Sequence, residues 1–257
     1  MTTNDRAIYF NSENETFAVS ANSYFSELVN KAISLGYDFS DFAGIPGYIG
    51  GAVFGNAGTH HTGRTIGDSI IKIIVFNFET GQYETINPIA YPNFFSERNS
   101  FLKESNRVKT KYLIISVVLK AQYIGIKEAT DKKKKIIEIR KDSDIEGRRT
   151  AGSFFANGAL PENLAKQGLK VRDLIRELGL NTLNFNGAGY TDIKCFLKTE
   201  SQTTDYNIAL LLDETIYKIK TTYGFCPTTE VQILDFDGII TAEQFIRRYA
   251  NGNHAAA

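Results

Sequence analysis

The chain has 257 residues, 42% of them hydrophobic and 23% charged, which is ordinary globular composition with room for one large or two modest domains. Its 29 Lys and Arg balance 29 Asp and Glu, so no net charge draws it to nucleic acid or anionic lipid; no run approaches about 18 apolar residues and the opening MTTNDRAIYFNSENE lacks a secretion-signal pattern, so neither a membrane span nor a leader is expected and the location reads as cytoplasmic. Cys195 and Cys226 are too few for a disulfide framework, and His60, His61 and His254 lack partners at metal-ligand spacing, so disulfide-scaffold and zinc chemistry drop out.

In chain order, Ile8 to Val19 predicts two short strands around the turn-rich Asn11 to Asn14. Asn22 to Gly36 places Phe25, Leu28, Val29, Ala32 and Ile33 at helical spacing and stops at a glycine. Between Gly44 and Gly67 lie eight glycines in 24 residues, too many for a regular element. Strands are predicted over Ile70 to Phe78, Tyr83 to Ile86 and Tyr112 to Ala121, the first two joined by a hairpin turn at Glu79 to Gln82. Lys127 to Lys141 reads as a charged helix linking two domains, its four-lysine run a solvated face. Beyond it a helix near Asn163 to Leu178, a short strand, a helix over Asp205 to Tyr223 and a strand over Glu230 to Phe236 suggest a small α+β layer. Thr241 and Gln244 form a capping box for a last helix through Tyr249, and Asn251 to Ala257 reads as an unstructured tail.

Four segments carry candidate chemistry. AGIPGYIGGAVFGNAG, Ala43 to Gly58, strips side chains from a whole turn, so backbone can approach a planar ligand; it is neither GxGxxG nor a phosphate P-loop, and the competing reading is a tight turn that merely needs glycine. In AGSFFAN, Ser153 stands between a glycine and two aromatics, where a hydroxyl could give a proton in a dry pocket or could simply cap a turn. The absence of GxSxG and of a partner histidine argues against serine hydrolysis. Arg98, in SERNSFLK, could hold a carboxylate bidentately or pair with Glu97 or Glu104, and Glu230, in PTTEV, begins a strand where a carboxylate usually meets water.

Taken together and in this order, the loop, RNSFLK, AGSFFAN and TTEVQIL resemble the UDP-N-acetylenolpyruvoylglucosamine reductase family, also called UDP-N-acetylmuramate dehydrogenase, from about Ala18 to Gly238. The resemblance implies an α+β fold: a partial flavin-binding domain of the PCMH/VAO type over residues 1–123, then a small α+β substrate-binding domain over 124–257 that begins with the linker helix at about 127–141. It implies a flavoprotein oxidoreductase of peptidoglycan precursor synthesis, using FAD and NADPH to reduce UDP-N-acetylglucosamine enolpyruvate to UDP-N-acetylmuramate. By that resemblance Ser153 matches the family's proton donor, Arg98 the arginine at the substrate carboxylate, Glu230 the glutamate that polarises the same group, and Asn157 a residue near the UDP phosphates. Gly44, Ile45, Pro46, Gly47, Gly50, Gly51, Asn56, Ala57 and Gly58 would cover the flavin.

The chain also departs from the family pattern. No GxGSN loop precedes Ala18, so a separate N-terminal flavin subdomain is an expected partner, and Arg6 is the only cation near the glycine-rich loop on that side. Ala156 and Gly158 stand where AGSFFKNP has lysine and proline, and Tyr48 replaces a small residue of the loop. A second reading is therefore a non-catalytic UDP-sugar-binding remnant without stable flavin. A third, another flavin oxidase of similar cofactor-domain architecture, is opposed by AGSFF.

Overall fold

A computed structural model describes residues 6–59, 62–96, 99–106, 110–141, 149–150, 152–156, 160–192, 194–235 and 238–250. The chain divides into two units, Met1–Ile139 and Arg140–Ala257, each with its own hydrophobic core.

The first unit is built on a five-stranded antiparallel sheet in the order β1-β2-β7-β3-β4, from β1 (Ile8–Asn11), β2 (Thr16–Ser20), β3 (Ile70–Asn77), β4 (Gln82–Ile86) and β7 (Tyr112–Lys120). Alternation along the strands sends Phe17, Val19, Ile73, Val75, Val117 and Leu119 to one face. They share a core with Phe25, Leu28, Val29, Ala32 and Ile33, the buried stripe of α1 (Phe25–Ser34). Each such side chain taken out of water contributes about 1.5–3 kcal/mol, which is what fixes the register.

The glycine-rich stretch was expected to hold no regular element, yet it contains a short helix, α2 (Ile49–Phe54). Ile49, Ala52 and Val53 are all buried, so tertiary packing outweighs the poor helix propensity of Gly50 and Gly51. Further along, β5 (Phe95–Ser96), β6 (Asn99–Ser100) and α3 (Phe101–Ser105) make a small hairpin and turn of helix absent from the sequence reading.

The lysine-rich helix forms as α4 (Ile126–Lys141); it packs on the first unit and runs on into the second at Arg140. Ala129 and Ile136 enter the first core, the Ser40 hydroxyl donates to the Ala129 carbonyl at 3.0 Å, and Lys132 and Lys133 reach Asp38 and Asn30 at 3.3 and 2.7 Å. The division into compact units falls at 139/140, within α4.

In the second unit β8 (Arg149–Thr150), β9 (Asn184–Phe185), β10 (Ala188–Tyr190) and β11 (Leu197–Thr199) form an antiparallel sheet in the order β8-β11-β10-β9. The helix expected over Asn163 to Leu178 is two, α5 (Glu162–Ala165) and α6 (Val171–Glu177), because Gly168 between them takes φ +73°. Helix α7 (Asp205–Tyr223) keeps its expected bounds, capped by Thr204 and ended by Gly224 at φ +75°. The strand expected from Glu230 is shorter, β12 (Ile233–Asp235), and pairs with β13 (Gly238–Ile240). The Thr241–Gln244 capping box opens α8 (Ala242–Tyr249). The Asn251 to Ala257 tail lies outside the described residues.

Candidate functional site

The glycine-rich loop is held by backbone bonds to the segment that opens α1. The Phe25 amide donates to the Gly47 carbonyl at 2.9 Å, the Ile49 amide to Ser23 at 3.0 Å and the Gly50 amide to Ala21 at 2.8 Å. Gly44, Pro46, Gly47 and Gly51 are left exposed along one edge. The glycines divide into two kinds. A Cβ on Gly58 would come within 2.6 Å of the Arg64 carbonyl, and one on Gly50 would press on Ala21 at 3.2 Å, so these are glycine because the chain itself is close. A Cβ on Gly51 would meet nothing within 4 Å, and Gly51 sits inside α2, where glycine costs about 0.5–1 kcal/mol relative to alanine. No contact among the described residues accounts for that cost.

Asn56 ends the loop at φ +45° with 3% exposure; its amide donates to the Ser96 carbonyl at 2.8 Å, and its side-chain oxygen accepts from the Gly67 amide at 3.1 Å. One buried side chain thus ties the loop to the strand that leads toward Arg98.

At the exposed side of the loop, Tyr24 and Tyr48 form an isolated antiparallel bridge and stack with ring centres 4.7 Å apart and planes 20° from parallel. Their hydroxyls lie 3.4 Å apart, and the Arg6 guanidinium covers Tyr24 at 4.3 Å and Tyr48 at 5.8 Å from the ring centres. The hydrogen bond from Tyr48, aided by the Arg6 charge, holds the Tyr24 phenol below the ordinary tyrosine range, and the same bond pushes Tyr48 up.

In the second unit Ser153 follows Gly152, which has φ +84° and whose amide donates to the Thr150 hydroxyl at 3.0 Å; that hydroxyl donates in turn to the Leu197 carbonyl at 2.6 Å. Phe154 and Phe155, edge to face at 5.1 Å, are buried in the core. Phe155 pairs with Thr229, the Glu230 amide donates to the Phe154 carbonyl at 2.8 Å, and the Ala156 amide to Thr228 at 2.9 Å. Ser153 and Glu230, both half-buried, therefore stand on adjoining extended segments.

Of the residues singled out in the sequence, Ser153 and Glu230 lie on segments that pair through their backbones in the second unit, and in the first unit Gly44, Pro46, Gly47 and Gly51 are exposed while Asn56 is buried. Arg98 and Asn157, with Gly158, lie outside the described residues. Tyr24 and Arg6 were not read as a group with Tyr48, because their association depends on a bridge between segments 24 residues apart that no periodicity announces. Among the described residues no group of three or more His, Cys, Asp or Glu is arranged to hold a metal ion, and no helix is long and apolar enough to cross a membrane.

No protein-family model matches the chain. Among curated proteins it is 30% identical to the UDP-N-acetylenolpyruvoylglucosamine reductase of Bacillus pumilus over 193 residues, 75% of this chain and 58% of that protein. It is 28% identical to the enzyme of the same name from Prochlorococcus marinus over 235 residues, 91% of this chain and 75% of that one. The match to the Rickettsia felis reductase, 31% identical, takes in 62% of this chain and 47% of the relative. The chain thus spans between about half and three quarters of these relatives. Among solved structures, the UDP-N-acetylenolpyruvylglucosamine reductase of Thermus caldophilus aligns with a TM-score of 0.65 at 23% identity, over 83% of this chain and 70% of that one, so the α+β fold is shared. In sequence the chain is thus similar to UDP-N-acetylenolpyruvoylglucosamine reductases, and it shares the fold of one of them.

Proposed function

We propose that the chain carries the catalytic and substrate-binding part of a cytoplasmic reductase that converts UDP-N-acetylglucosamine enolpyruvate to UDP-N-acetylmuramate in peptidoglycan precursor synthesis. The observation that carries this reading is the pairing of the Phe154 and Glu230 backbones, which supports a joint role for Ser153 and Glu230. Bound FAD, reduced by NADPH, supplies the hydride that reaches the carbon β to the substrate carboxylate. The first unit serves as the flavin-binding part and the second as the substrate-binding part.

The residues of the first unit suit a flavin. Among the described residues no contact explains Gly51, and a Cβ on it or on Gly47 would meet nothing within 4 Å, so a flat ring system can lie against backbone there at van der Waals distance.

The protein's own work is acid catalysis and charge stabilisation. Hydride addition leaves an enolate, and the Ser153 hydroxyl gives its proton to the α-carbon. Such a hydroxyl is a weak acid near neutral pH, so its effect comes from being held within hydrogen-bond reach of a strongly basic carbon. The buried Phe154 and Phe155 beside it exclude water and keep that carbon basic. Arg98 binds the carboxylate through a bidentate contact, Glu230 polarises the same group as charge develops, and Asn157 meets the UDP phosphates.

The test is to titrate the purified chain with FAD, alone and with the N-terminal flavin subdomain of a relative, and to follow NADPH oxidation with the enolpyruvyl substrate. Saturable flavin uptake with substrate-dependent oxidation is expected, tighter when the subdomain is supplied. UDP-sugar binding with no flavin uptake under either condition would establish the remnant reading instead.

A further inference from the structure

The Arg6 guanidinium has an unusual position. The Ala7 carbonyl accepts from the Ser20 amide at 2.9 Å and from the Ser23 hydroxyl at 3.3 Å, which fixes the chain just before β1 against the start of α1. Arg6 is thereby laid over the Tyr24 ring, with one terminal nitrogen 3.5 Å from the Tyr24 hydroxyl. Among the described residues no carboxylate forms a salt bridge with it, and a guanidinium has five donors. Stacking on an aromatic face orients the planar fork without consuming its in-plane donors.

This cation adjoins a stretch of backbone in which a Cβ on Gly47 or on Gly51 would meet nothing within 4 Å. Tyr48, whose ring centre lies 5.8 Å from the Arg6 guanidinium, sits directly after Gly47 and opens the helix that contains Gly51. A ligand lying along Gly47 and Gly51 therefore has an aromatic shelf and a fixed positive charge at one end.

We propose that Arg6, stacked on Tyr24 and Tyr48, is a phosphate-binding residue of the flavin site, contacting the phosphate attached to the ribityl chain of a flavin whose ring lies on the Gly47 to Gly51 backbone. This inference rests on the flavin reading above and adds to it the anchor for the charged end. Arg6 is exposed, so the contact is screened and modest in strength, and it weakens as salt is added.

Riboflavin and FMN differ by that phosphate alone, which makes them the probes. Quenching of flavin fluorescence on titration with the full chain is expected to give FMN about fivefold tighter than riboflavin at low salt, and the preference should vanish near 1 M salt. Arg6→Gln should bind the two equally, with riboflavin affinity close to that of the unaltered chain, and Arg6→Lys should restore only part of the preference because an ammonium lacks the planar fork. Thermal unfolding of each variant checks that the fold is intact. An FMN preference that survives Arg6→Gln would overturn this inference and leave the flavin reading standing. Failure of the unaltered chain to bind either flavin, both alone and with the N-terminal flavin subdomain of a relative supplied, would overturn both.

Discussion

The Glu230 amide donates to the Phe154 carbonyl at 2.8 Å, and this bond joins two segments 76 positions apart in the chain. It sits between the Phe155–Thr229 bridge and Ser153, so the serine cannot shift along its segment unless Phe154 and Phe155 leave the core. Removing either ring would cost about 3–5 kcal/mol, which makes the position of Ser153 a consequence of core packing rather than of its own hydrogen bonds.

Ser153→Ala is expected to lower turnover by about 10²- to 10⁴-fold, the usual loss of a general acid, while flavin reduction by NADPH continues at nearly its normal rate. Only the half-reaction on the enolpyruvyl group consumes the proton. Stopped-flow measurement of the two half-reactions separates the cases, and equal slowing of both would make Ser153 a structural residue.

Much of this was legible in the sequence. The strands that make up the first sheet and the span of α7 were read nearly to the residue, because strand and helix periodicity are local signals. Helix α2 was not legible: its propensity is poor and it exists because Ile49, Ala52 and Val53 find a core supplied by distant strands. The packing of α4 on the first unit was not legible for the same reason, since the Ser40–Ala129 bond spans 89 positions. The order of motifs pointed to Ser153 and Glu230, but their adjacency through backbone pairing has no trace in either segment alone.

Asn56→Ala is expected to destabilise the first unit by about 2–4 kcal/mol. The substitution removes a donor to Ser96 and an acceptor for Gly67 at a 3% exposed position and leaves both backbone groups without those partners. It also forces alanine into φ +45°, which asparagine tolerates better. Chemical denaturation gives the loss directly, and a change below about 0.5 kcal/mol would mean that water replaces both bonds.

Acid should loosen α4 before the rest of the first unit. Burial alone would raise the Asp38 carboxyl, but hydrogen bonds from Ser40 and Lys132 outweigh it and hold the group below the usual aspartate range. A depressed folded value means that the stabilisation is present above the unfolded pKa of about 3.9 and is lost as pH falls through the folded value. Asp38→Asn should lower stability at neutral pH and flatten the loss of stability below about pH 4. Denaturation midpoints measured across that range check both, and an unchanged acid limb in the variant would exclude Asp38 as its source.

Two alanine substitutions in and beside the same loop should have opposite effects on stability. Gly67→Ala places a Cβ 2.7 Å from the Phe95 ring and 2.8 Å from the Asn56 side-chain oxygen, so it should cost about 1–3 kcal/mol through overpacking. Gly51→Ala meets nothing within 4 Å and lies inside α2, so it should stabilise the unliganded chain by about 0.5–1 kcal/mol. If the open space beside Gly51 is where the flavin ring lies, the same methyl group holds the ring away from the backbone and should weaken flavin binding about tenfold, equivalent to about 1.4 kcal/mol. A more stable protein that binds flavin less well is a combination that general damage to the fold cannot produce. Differential thermal unfolding with and without flavin reads both effects in one experiment, and a Gly51→Ala chain that binds flavin as tightly as the unaltered one would move the ring off this surface.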